Sequence, residues 1–558
     1  MDFHTDSETQ EDKKFYALAD EILSGIFFRQ PVMATEFGDH RFDDRLGEYS
    51  LPAIHEYIAY EESALAQLKN DIYTPSLSQD SKVDCLLYQK QMRASLELYK
   101  KDRPWETDPT MYISECTEGC YAVYVSTYET ESNKFEFLLS RISQIPRVLK
   151  EAMKNLKNPS PENTRTAIEI TEGAYDFFQH ILKAHRRELK SIRHDYDSIF
   201  FLARHAFRIY LHFLKRDLFP LSKSGATIGA ESFDFILKEI KMIDYSRREL
   251  LELGNMVLRQ SQEKLEVLAR KYGKGLHWKE ILFGNHHTHP SFYNLMRAYR
   301  QTMERAKAFV QEHDLVTLPE HDRLLLLETP EFDRPIIPLA AYVPSAPMDQ
   351  TSSAIFFVTK VRFTPFWWRM KMQLREHHYA HINITVVHES YPGHHVQYER
   401  ASAHPSRLRR FFDDEALSEG WAMYVEEMMM EMGFDESLMT RMHLERYVML
   451  RALRVILDVG LHTKTMNYQE ALNLLMNTVG FDESYASSEV HRYLLEPTQP
   501  LSYLVGKTEI IKLREACKKK WKDDFSIKKF HDRLLDAGEI PLKVVKKILL
   551  QENTDDIL

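Results

Sequence analysis

Apolar residues recur at three- and four-residue spacing through most of this chain, and that period limits its fold more than any other feature. The segment Phe235–Tyr272 mixes Leu, Ile, Met and Val with Glu, Lys and Arg, and holds a single glycine, Gly254. The same pattern runs through Phe135–Asn155, Thr164–Arg193 and Phe411–Met432. Each predicts a helix with one buried face. Strand-like runs are few, and Ala354–Thr359 is the clearest because it concentrates β-branched and aromatic residues. The expected fold is mostly α, a large helical body with a small β element. With 44% hydrophobic residues among 558, the chain has ample material for a core.

Turn chemistry divides this body. Residues 1–12 are expected to be disordered. Gly273–Pro290 is rich in turn residues, and Thr329–Met348 carries five prolines, Pro330, Pro335, Pro338, Pro344 and Pro347. The reading is an N-terminal helical half, 13–290, and a C-terminal half, 291–558, which can also form one continuous domain. A net charge of -10 and a pI near 6.2 exclude the usual basic nucleic-acid binder. Cys85, Cys116, Cys120 and Cys517 are too few for a disulfide framework and read as reduced, packed thiols. The N-terminus is acidic and polar. The most apolar stretch, Ile199–Leu218, is interrupted by Arg204, His205, Arg208, His212, Lys215, Arg216 and Asp217, whereas a membrane span needs roughly 20 apolar residues. These features predict a cytoplasmic protein with no membrane partner. Oligomeric state is left open.

Chemistry concentrates in His388-Glu389-Ser390-Tyr391-Pro392-Gly393-His394-His395, which follows an apolar run. In zinc sites of the His-Glu-x-x-His type, two histidines four residues apart share a helix face, and the glutamate acts as general base. Here His394 comes six residues after His388. On a regular helix that spacing leaves the side chains about 120° and about 9 Å apart, too far to share a cation. Pro392, four residues after His388, removes a helical hydrogen bond to the His388 carbonyl and clashes with it. Gly393 permits unusual backbone dihedrals. The segment therefore predicts a broken helix that returns His394 to the metal. His395 is the alternative second ligand.

A third ligand is expected on a following helix. Glu419 lies 25 residues after His394 (419 − 394) and opens the pattern Leu417–Glu426, with Ser418 as the expected N-cap. Two nitrogens, one carboxylate and an open position make a catalytic zinc site. Glu426, Glu427 and Glu431 read as solvated groups or outer partners of the ligands. Iron held by a facial triad, a metal hydrolase of a non-peptide amide, and a non-catalytic binding protein with a vestigial site are the alternative readings.

The pattern His-Glu-x-x-Pro-Gly-His-His-x-Gln resembles the signature of the family known as domain of unknown function 885. Pro31–Gly38 with Asp43 and Leu46, Glu489–Tyr493, Pro497–Gly506, and Phe530–Asp532 with Leu534, Leu535 and Gly538 extend the likeness over nearly the whole chain. Pro500 departs from the family's usual small residue. The family is similar in outline to helical, glutamate-liganded zinc peptidases, among them angiotensin-converting enzyme and the thermostable carboxypeptidases. That resemblance implies a deep cleft suited to short peptides, with zinc on His388, His394 and Glu419 and Glu389 as base. It also implies Tyr503 as transition-state donor and Arg492 as anchor for a substrate carboxylate. The cluster His286-His287-Thr288-His289-Pro290 reads as a loop, and His377, His378 and His381 as a helix flank or outer partners. Trp367-Trp368 and Met428-Met429-Met430 read as core.

Overall fold

The computed structural model describes residues 9–126, 130–193, 195–222, 227–284, 288–320, 322–330, 334, 337, 339–349, 351–361, 367–554 and 557. His286, His287, Pro335 and Pro338 lie outside them, as do the side chains of Trp367 and Trp368.

The fold is mostly α with one three-stranded sheet. The first helix, Gln10–Arg29, is closed by a reciprocal cap: the Asp12 amide donates to the Thr9 hydroxyl, and the Thr9 amide to the Asp12 carboxylate. Residues 10–12, expected to be disordered, are therefore helical. The long pattern Phe235–Tyr272 is not one helix. It breaks after Ile240, turns through Met242 at φ 52°, and restarts at Arg247, where Ser246 and Glu249 cap each other. Thr164–Arg193 divides at His185, and Phe411–Met432 divides between Phe411 and Glu415. In each case the apolar period continues across a short break, which periodicity alone does not register.

The sheet has order β1-β3-β2, with β1 Leu324–Glu328, β2 Ala340–Val343 and β3 Ala354–Val358. β1 runs parallel and β2 antiparallel to β3, with Tyr342 opposite Phe356. All five β3 residues are buried, as a run of apolar residues in a central strand requires. β2 forms an edge of the sheet and lies beside the motif helix Tyr379–Glu389.

One core cluster joins Phe15, Leu87 and Tyr299 to Val386, Trp421 and Leu504, so residues from both ends of the chain pack together. Met428, Met429 and Met430 are buried in it. The four cysteines are free and buried. Among the described residues, no helix is long and apolar enough to cross a membrane.

Candidate metal centre

The motif helix ends at Glu389, and a new helix, His394–Ser402, begins after the four-residue loop Ser390–Gly393. Four contacts fix that loop. The Ser390 hydroxyl donates back to the Val386 carbonyl at 2.6 Å, and the Trp421 indole N–H donates to the Pro392 carbonyl at 2.9 Å. The Tyr391 hydroxyl and His395 Nε2 both meet Asp322 Oδ1, at 2.5 and 2.7 Å. Gly393 has φ -70°, so its dihedral is not what demands glycine. A Cβ there would lie 1.9 Å from the His388 carbonyl oxygen, and that close approach is the requirement.

The loop turns His394 toward His388, with ring centroids 4.8 Å apart. Glu419 enters from the helix Glu415–Glu431. Its cap is Asp414, which accepts from the Leu417 amide, and not the expected Ser418. Glu419 is therefore the fifth residue of the helix rather than its opening acid. Among the described residues, His388, His394 and Glu419 each bring one ligand atom to within 4.8 Å of the others. Glu419 Oε2 stands 3.4 Å from His388 Nε2 and 3.5 Å from His394 Nε2. For metal–ligand distances of about 2.0–2.1 Å, a tetrahedron has edges of about 3.3 Å. Glu419 Oε2 is also buried without a hydrogen bond, although the two imidazoles converge on it. A buried acceptor left unbonded among nitrogen donors fits a cation.

Burial disfavours the His388 imidazolium, but Glu419 and Glu426 on either side outweigh it and lift its pKa to about 10. Burial also opposes the charged form of Glu419, yet the two imidazoles hold its carboxyl well below the usual range. Glu426 accepts from His388 Nδ1 at 2.7 Å and from Arg451 at 3.1 Å. It thereby leaves Nε2 free to face the cluster. Glu426 is an outer partner, not a solvated group. Its signal was present in the sequence: seven residues after Glu419 is the same helix face two turns on.

His395 is fully buried and faces away, bonded to Asp322 and near the Tyr342 hydroxyl at 3.4 Å. Geometry thus separates the adjacent histidines. Burial raises the Asp322 carboxyl, but His395, Lys307 and Tyr391 outweigh it and hold it well below its ordinary range. A depressed folded pKa contributes stability above about pH 4 that is lost as pH falls below it. Asp322→Asn is expected to flatten that acid-side loss and, by loosening the loop, to weaken zinc binding about tenfold. Melting curves from pH 7 to pH 3 and competitive zinc titration at pH 7 check both effects.

Glu389 Oε2 accepts the Tyr342 amide of β2 at 2.9 Å, which aims the carboxylate beside the cluster. Tyr503 comes from the helix Gln499–Trp521, its ring stacked 6.5 Å from that of His388. Burial, and then the charge of Glu419, push its hydroxyl up to about 12, so it remains a donor. Pro500 sits in the first turn of this helix, where its missing N–H costs nothing. Arg492 pairs with Glu489 at 3.5 Å and Glu496 at 3.6 Å, and bonds Gln499 at 3.0 Å. A cavity of about 930 Å³ is lined by His388, Glu389, Tyr503, Arg451, Arg454 and Arg492 among others. His381 also lines it, while His377 bonds Tyr299 and His378 caps the motif helix.

Tyr503 and Glu419 are held together by a glycine contact. A Cβ on Gly506 would lie 1.8 Å from the Ala416 carbonyl oxygen, and one on Gly420 would lie 2.5 Å from the Gly506 backbone. Gly506→Ala is expected to separate the two helices, destabilise the fold by about 3 kcal/mol and weaken zinc binding. Thermal denaturation with and without zinc measures this.

Residues 31–549 match the family described as "Bacterial protein of unknown function (DUF885)". The chain belongs to this family. Two solved structures share the family member's fold. One is a putative lipoprotein of unknown function from Shewanella oneidensis, with 22% identity and a TM-score of 0.78, covering 96% of this chain and 99% of that one. The other is a putative lipoprotein from Colwellia psychrerythraea, with 16% identity and a TM-score of 0.79, covering 97% and 99%. At these identities the likeness is one of fold. The sequence has no match among curated proteins. The expectation of a cytoplasmic protein without a membrane partner is overturned by these two structures, each described as a lipoprotein. A lipid anchor needs no spanning helix, so the interrupted apolar run on which that expectation rested does not bear on location.

Proposed function

We propose that this family member is a zinc-dependent hydrolase, a peptidase acting on short peptides. The observation that carries the reading is the convergence of His388, His394 and Glu419 beside Glu389, at the edge of a cavity of about 930 Å³. Two imidazoles, a carboxylate from a later helix and a glutamate next to the first histidine form the donor set of glutamate-liganded zinc peptidases. The cavity volume falls in the range of small-ligand sites.

Zinc, when bound, supplies Lewis acidity that polarises a carbonyl and acidifies water. Glu389 takes the proton of the attacking water and delivers it to the leaving nitrogen. The Tyr342 amide holds Glu389 in place for both transfers. Tyr503 donates to the oxyanion that develops on the scissile carbonyl, a contact worth roughly 3–4 kcal/mol in the transition state. Glu426 fixes the His388 ring through Nδ1. Arg492, in the wall of the same cavity, binds a substrate carboxylate.

The test is chelation followed by zinc reconstitution, with turnover read on a panel of dipeptides and tripeptides carrying free or amidated C-termini. One zinc per chain should restore hydrolysis, and amidation should lower kcat/KM at least tenfold. Turnover that survives full removal of metal would sink the proposal.

A further inference from the structure

The helix Tyr196–Phe213 buries Tyr196, Ile199, Phe200, Ala203, Phe207 and Tyr210 against the body. Its opposite face is not uniformly polar, as a solvated surface helix would make it, but mixes large apolar side chains with basic ones. Phe201 is 62% exposed, Leu202 55% and Ile209 44%, and Phe219 and Leu221 follow at 37% and 64%. Of the seventeen large hydrophobics exposed among the described residues, these five fall within residues 201–221. At 100° per residue, Phe201, Leu202, His205, Arg208, Ile209 and His212 occupy one arc of about 120°. The Phe201 and His205 rings lie parallel, 6.3 Å apart, which extends the flat face.

Charge singles out the same segment. Residues 183–217 contain nine Lys and Arg (Lys183, Arg186, Arg187, Lys190, Arg193, Arg204, Arg208, Lys215, Arg216) and four acids (Glu188, Asp195, Asp197, Asp217). That is net +5 in a chain of -10, so the remainder carries -15. Eight of the nine basic residues are exposed, and only Arg204 turns partly inward, donating to the Tyr175 hydroxyl. Arg186 Nε donates to the Tyr196 hydroxyl at 3.3 Å, which ties the short basic helix Arg186–Ile192 to the start of the longer one. Exposed aromatic and aliphatic side chains flanked by Lys and Arg are what an anionic bilayer surface binds: rings and branched chains enter the headgroup boundary, and the cations meet lipid phosphates.

We infer that the face built by residues 183–193 and 195–221 docks on an anionic lipid surface, independently of the metal centre. The full chain is tested by flotation with vesicles of phosphatidylcholine alone and of phosphatidylcholine with one quarter phosphatidylglycerol. The chain should float with the anionic vesicles, lose binding as salt rises from 0.05 to 0.5 M by on the order of tenfold or more, and stay behind with neutral ones. A triple variant, Phe201→Ser, Leu202→Ser and Ile209→Ser, should lower partitioning more than tenfold. Reversal of Arg187, Arg208 and Arg216 to Glu should abolish it, since each lost cation alone reduces partitioning about fivefold. All three residues are exposed, so unchanged melting curves are expected of both variants. Wild type that does not float overturns the inference, as do variants that bind like wild type. Concentration-dependent dimers in sedimentation, lost in the triple variant, would assign the face to a second copy and also overturn it.

Discussion

Glu389→Gln is expected to lower kcat about a thousandfold while leaving the fold and the bound metal in place. The amide keeps the size of the carboxylate and, through its carbonyl oxygen, still accepts the Tyr342 N–H that orients Glu389 at 2.9 Å. What it loses is basicity, and proton transfer by a positioned side chain contributes about 10²–10⁴ in rate. The variant should therefore hold one zinc, melt with wild type, and show a KM near that of wild type, because the residue acts in the transition state rather than in binding. Steady-state kinetics beside zinc stoichiometry separate these quantities. A variant that turns over at even a tenth of the wild-type rate would remove Glu389 from the role of base.

The second large effect falls on the metal. Glu419→Ala removes the oxygen on which His388 and His394 converge at 3.4 and 3.5 Å. Two imidazoles alone make a poor site, so the zinc dissociation constant should rise by more than a hundredfold, beyond the 10–100-fold typical of an outer partner. Stability reports the same loss. Zinc at a thousand times its dissociation constant adds about 4 kcal/mol to the native state, and Glu419→Ala should lose most of that increment. The metal-free melting point should also fall, because Glu419 pairs with both imidazoles at 3.4 and 3.5 Å, so the zinc-dependent increment is the quantity that reports the ligand. Scanning calorimetry with and without zinc, on wild type and variant, gives the four values needed.

These expectations rest on features that differ in how plainly the sequence carries them. The mostly helical fold was legible because apolar spacing records burial directly, and β3 because its residues are apolar without interruption. The His388–His394 pairing was legible from a failure: six residues cannot share a face on a regular helix, and Pro392 supplies the break. Helix ends were not legible. Ser246, Asp414 and the Thr9–Asp12 pair close helices whose apolar pattern runs on across the gap or starts late. Local hydrogen bonding decides such boundaries, and periodicity is blind to it.

The partners of the candidate site were the hardest to read. Asp322 precedes β1 and lies 69 residues before Tyr391, which it holds at 2.5 Å. Nothing in the neighbourhood of either residue announces the other. The Tyr342 amide reaches Glu389 only because β2 is an edge strand with a free donor facing the motif helix. Long-range pairing of this kind is a property of the folded chain. Glu426 is the intermediate case, since its seven-residue spacing from Glu419 predicts a shared face but not the Nδ1 bond to His388.

The most direct measurement is a crystal structure of the zinc-loaded chain with anomalous data at the zinc edge. One peak is expected, bound by His388 Nε2, His394 Nε2 and a Glu419 oxygen at about 2.0–2.2 Å, with His395 still bonded to Asp322. A peak elsewhere, a coordination sphere that includes His395, or no peak at saturating zinc would contradict this expectation.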